Sequence, residues 1–73
     1  MTMNGTEVST KIFDNATRKA NVEKTNVIIF KSEIVMGRGK TVSYATEKQF
    51  NESPIRHELE RIQMITPEGS FVH

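Results

Sequence analysis

Four consecutive residues, Val27-Ile28-Ile29-Phe30, are β-branched or aromatic, and side chains of that shape suit a pleated sheet better than a helix. Lys31-Ser32-Glu33 interrupts the run and Ile34-Val35-Met36 resumes it, so one long strand is expected. Side chains alternate across a strand. Ile28, Phe30, Ile34 and Met36 would share one face, and Val27, Ile29, Lys31, Glu33 and Val35 the other. The first set is the more uniformly apolar and is expected to face the core. Gly37-Arg38-Gly39-Lys40 follows as a turn, its glycines free to take positive φ. Thr41-Val42-Ser43-Tyr44-Ala45-Thr46 then returns with Val42 and Tyr44 in alternation. Residues 26–46 read as an antiparallel hairpin with a basic tip.

The flanks are less apolar. Residues 1–24 hold few large hydrophobic side chains beyond Val8, Ile12, Phe13, Val22 and two methionines. A segment of that kind buries too little area to offset its ordering entropy, so a flexible or weakly structured arm is expected, with one short strand conceivable at 7–13. Residues 47–52 read as a polar link carrying Phe50. Ser53-Pro54 resembles a helix start, serine as N-cap and proline at the first helical position. Ile55, Leu59 and Ile62 follow at i, i+4 and i+7, which predicts a short helix over 54–63. Met64-Ile65-Thr66, Pro67-Glu68-Gly69 and Ser70-Phe71-Val72 read as a last short hairpin.

The expected fold is therefore α+β. A small antiparallel sheet, made of the 26–46 hairpin and the C-terminal hairpin, packs on one helix at 54–63, with residues 1–24 as an arm and 25–73 as the domain. A small five-stranded β-barrel that includes the N-terminal strand is the alternative. Core candidates are Ile28, Phe30, Ile34, Met36, Val42, Tyr44, Ile55, Leu59, Ile62, Ile65 and Phe71.

Size limits what this fold can do. A chain of 73 residues is one domain at most, and a domain this small buries only roughly 60% of its unfolded surface. Cysteine is absent, which removes disulfides and thiolate metal sites and fits a reducing compartment. Small scaffolds without such staples often gain stability from a partner or a second copy. Hydrophobic residues make up 36%, low for a fully packed domain. No run approaches the roughly 20 apolar residues that cross a bilayer. The first residues carry neither a basic n-region nor an apolar h-region, so cytoplasmic residence is expected, in a host cell if the chain is viral. Three Asn-x-Ser/Thr matches, at Asn4, Asn15 and Asn51, carry no weight in that setting.

Chemistry is mostly excluded. Gly37-Arg38-Gly39-Lys40-Thr41 ends like a phosphate-binding loop, but the first glycine of that motif is replaced by Ile34 and a strand pattern follows where a helix is required. His57 and His73 are the only histidines, too few for a zinc site without cysteine or clustered carboxylates. Glu58 and Glu60 lie two apart and diverge on a helix, and Asp14 is the only aspartate, so no acid–base pair or nucleophilic triad is visible. No enzyme activity, cofactor or metal is expected.

What is left is recognition. Net charge is +1, far from the basic excess of a general nucleic-acid binder. By size and composition the chain is similar to small regulators, of which phage-encoded inhibitors of host RNA polymerase are typical. The leading expectation is a non-catalytic regulator that binds a large protein machine, with transcription and RNA polymerase as the setting. Its expected contact residues are Val27, Ile29, Lys31, Glu33 and Val35 on the second face of the long strand, with Arg38 and Lys40 at the tip. Two alternatives stand beside it: direct nucleic-acid binding through Arg38, Lys40, Lys31 and Lys48, and a homo-oligomeric assembly subunit joined through Val27, Ile29 and Val35.

Overall fold

The computed structural model describes residues 2–3, 5–33 and 40–72. Strands β1 (Thr2–Met3) and β2 (Thr6–Glu7) form a two-stranded sheet of their own. Helix α1 (Thr10–Glu23) follows, then β3 (Val27–Glu33), β4 (Lys40–Thr46), the short helix α2 (Glu47–Glu52), a 3₁₀ turn (Arg56–Glu58), β5 (Glu60–Ile65) and β6 (Phe71–Val72). The main sheet is antiparallel and open, in the order β4-β3-β5-β6. The class is α+β as expected, and the sheet is not closed into a barrel, since β4 and β6 stand at opposite edges.

Helix α1 lies within the segment expected to be a flexible arm. Ser9 caps it, its Oγ accepting from the Ile12 N–H at 3.1 Å. Ile12, Ala16 and Ala20 recur at i, i+4 and i+8, and Phe13 widens the stripe. Ala16 and Ala20 are fully buried, while Ile12 and Phe13 pack against the same cluster. Alanine pays little side-chain entropy on burial and lets a helix approach its sheet closely, so few large residues are needed. On the outer face Lys19 donates to Glu23 at 2.7 Å, which holds its ammonium pKa above the usual lysine value. Lys24 ends the helix at φ 52, and its N–H returns to the Ala20 carbonyl. Ser9→Ala is expected to cost about 0.5–2 kcal/mol, seen as a lower urea midpoint, because the Ile12 N–H loses its acceptor.

β3 is central, hydrogen-bonded to β4 on one side and β5 on the other. Its first three residues are all buried: Val27 and Ile29 at 0% exposure and Ile28 at 1%. That corrects the expected face assignment. Val27 and Ile29 face α1 and form the main core with Val8, Ala16, Ala20, Ile62 and Ile65. Across the ladder Ile29 pairs with Tyr44 and Lys31 with Val42, which places Val42 and Tyr44 on this face too. Ile28 and Phe30 occupy the opposite face, where the Phe50 ring of α2 lies 5.7 Å from that of Phe30. The sheet thus has apolar cover on both sides, as a continuous rather than alternating hydrophobic run implies.

α2 arises from a local signature. Thr46-Glu47-Lys48-Gln49 is a capping box: Thr46 Oγ1 accepts from the Gln49 N–H, and Gln49 Oε1 accepts from the Thr46 N–H, both at 3.1 Å. The Glu47 N–H donates to the Asn26 carbonyl at 2.8 Å, fastening the start of α2 to the start of β3.

The expected helix over 54–63 is not formed. Ser53 does open a turn, its Oγ accepting from the Ile55 N–H at 3.3 Å, but only Arg56–Glu58 is helical, and as 3₁₀. Residues 60–65 are strand β5, paired with β3 from Val27↔Ile65 to Lys31↔Glu60 with a register shift at Ile29/Phe30. The free edge of β3 outcompetes the helical preference of Glu-Arg-Ile-Gln-Met, a tertiary override of a weak local propensity. Of the expected core, Ile55 and Phe71 are instead exposed, at 48% and 52%. Ile34 and Met36 lie outside the described residues.

Candidate partner-binding surface

The residues expected to contact a partner do not form one exposed face. Val27 and Ile29 are sealed beneath α1. Lys31 is half-buried and its Nζ lies 3.2 Å from Glu60 Oε2 on the neighbouring strand, so its charge is paired. Glu33 and Lys40 are opposite one another at the far end of the β3–β4 ladder. Val35 and Arg38, with the rest of the expected Gly37–Gly39 tip, lie outside the described residues. Of the Val27, Ile29 and Val35 face expected to join an assembly, the helix covers Val27 and Ile29, and Val35 lies outside the described residues.

A different surface is open, at the β6 edge. The β5–β6 turn is fixed by three bonds: Thr66 N–H to the Ser70 carbonyl at 2.9 Å, Gly69 N–H to the Thr66 carbonyl at 2.9 Å, and Ser70 N–H to Thr66 Oγ1 at 3.1 Å. Gly69 sits at φ 87, the left-handed conformation glycine adopts without strain. Asn21 Nδ2 reaches the Pro67 carbonyl at 3.4 Å, tying α1 to this turn. Between helix and turn runs an open groove of about 450 Å³, lined by Phe13, Thr17 and Pro67 with Asp14, Arg18 and Glu68 at its charged margin. Phe13 also meets Phe71 edge to face, ring centroids 5.6 Å apart. Phe71 pairs with Ile65 and therefore lies on the α1 side of the sheet; Val72 pairs with Met64 and lies on the other side. Phe71 is 52% exposed and Val72 39%.

The arrangement is an aromatic shelf beside a shallow groove with charges of both signs around it. The groove is open, and Phe13 and Pro67 are the apolar residues in a lining that is otherwise mostly polar or charged. Among the described residues, no cluster of three His, Asp or Glu is placed to hold a metal, and no helix is long and apolar enough to cross a membrane. Sequence patterning missed this surface because Phe71, read as part of a last short hairpin, was expected in the core. Comparison with protein-family models, with curated proteins and with solved structures finds no match to this chain.

Proposed function

We propose that this chain is a small non-catalytic regulatory protein that docks on a larger protein assembly through the β6 edge. The observation that carries the proposal is Phe71: a phenylalanine half exposed beside a groove, held edge-on by Phe13 and backed by a turn tied to α1. Aromatic side chains held rigidly at the surface are the usual anchors of protein interfaces, since they bury much area at small entropic cost. Asp14, Arg18 and Glu68 would set orientation around that anchor. The size and composition of the chain support a regulator rather than a catalyst, and bacterial RNA polymerase is the assembly proposed as its partner.

The test is direct binding to purified bacterial RNA polymerase, compared with Phe71→Ala. The substitution is expected to weaken binding by about 2 kcal/mol, roughly thirtyfold, while leaving the melting temperature nearly unchanged because the ring is half in solvent. Undiminished binding by Phe71→Ala removes the β6 edge as the docking surface. No binding by the native chain removes polymerase as the partner. Affinity through this shelf should change little with salt, whereas phosphate contacts would make it fall steeply and would favour nucleic acid instead.

A further inference from the structure

We infer that β4 is a self-pairing edge, and that two copies of this chain join antiparallel through it into one continuous eight-stranded sheet. β4 is the seven-residue edge of the main sheet and pairs only with β3 among the described residues. Its ladder with β3 runs without a bulge from Val27↔Thr46 to Glu33↔Lys40. Residues 41–46, Thr-Val-Ser-Tyr-Ala-Thr, contain no proline and no charge. Bulges, prolines and charges are the devices that keep a long edge from pairing with another chain, and this edge lacks them across its middle. The opposite edge strand, β6, comprises Phe71 and Val72.

The strand's own register points to a second copy as its occupant. In an antiparallel pair related by a two-fold axis, facing residues must lie on the same side of the sheet, so only in-phase registers are allowed. Placing the axis at Ser43 aligns the whole of β4 with its counterpart. Val42 then stands opposite Tyr44 of the second copy and Tyr44 opposite Val42, while Ser43 meets Ser43. Val42 and Tyr44 are both half-buried at the margin of the core, and a cross-strand pair of a β-branched and an aromatic residue is among the favourable ones. Moving the axis to Val42 or Tyr44 destroys both of these pairs and shortens the ladder. A self-complementary strand forms two such pairs at once, and the closed two-fold dimer is the commonest oligomer. A domain of 73 residues with no disulfide has much to gain from it. The inference is independent of the β6 surface, which lies on the other edge.

The experiment is sedimentation equilibrium on the native chain and on Ser43→Lys and Ser43→Glu, with far-ultraviolet circular dichroism as the check on folding. The native chain is expected at twice its 8.3 kDa mass. Each variant alone places like charges directly opposite at the axis and is expected to dimerise at least about tenfold more weakly. An equimolar mixture sets lysine against glutamate and is expected to restore the dimer. A native chain still monomeric at about 1 mM overturns the inference. So do variants that dimerise like the native chain, and so does a folded mixture that stays monomeric. If the variants lose their fold, hydrogen exchange on the native chain decides: slowing at residues 41–46 with rising concentration supports the pairing, and no change overturns it.

Discussion

Ile29→Ala is expected to lower the unfolding free energy by about 2–5 kcal/mol, the range for emptying a fully buried aliphatic site. Ile29 has no exposed surface and lies in the main core on the α1 side, with Tyr44 and Gln63 beside it in the ladder. Native domains hold roughly 5–15 kcal/mol in total, and a chain this short sits towards the low end. The variant should therefore show a clearly lower urea midpoint with little change in slope. A shift worth less than about 0.5 kcal/mol, the usual size for a surface site, would mean that Ile29 is open to solvent and that α1 does not cover β3.

Ala20→Asp is expected to detach α1 from the sheet. The position is fully buried within the main cluster, and the described neighbours in that cluster are aliphatic. A carboxyl there is enclosed by apolar side chains, and the cost is at least about 3 kcal/mol through desolvation or forced protonation. Val22→Asp puts the same side chain on the same helix at a position 70% exposed, and should cost no more than about 1 kcal/mol. Hydrogen exchange separates the two: residues 10–23 should lose protection in the first variant and keep it in the second. Equal effects would mean that residues 10–23 behave as an independent arm.

Those two substitutions fall where sequence and structure part company. The hairpin was legible because β-branched residues and the Gly-Arg-Gly-Lys interruption carry strong local information. Which face it buries was not. Alternation identifies the buried side only if one side is open, and β3 is covered on both, by α1 and by Phe50. Counting large apolar residues hid α1, whose fully buried residues are both alanines, Ala16 and Ala20. Thr46 and Gln49 stand at capping-box spacing, a local signal for α2 that the reading of 47–52 as a polar link passed over. Residues 60–65 could not be settled locally, because their sequence suits a helix and only the vacant edge of β3 makes them a strand. The partner surface shared that difficulty. Phe71 is exposed on an edge strand of the sheet, a property of topology and not of its neighbours in sequence.

The position of β3 in that topology also bears on synthesis. Its two partners arrive at very different times: β4 follows as the other arm of a hairpin, whereas β5 comes only after β4, α2 and the 3₁₀ turn. A nascent chain that has reached α2 can already hold α1 on the β3–β4 pair, since those contacts are all made. Until residues 60–65 leave the ribosome, however, Val27-Ile28-Ile29-Phe30, a continuous β-branched and aromatic run, carries a bare edge. Ribosome stalling or truncation between residues 53 and 60 would leave a half-sheet that associates with its own kind before the last strand can close it.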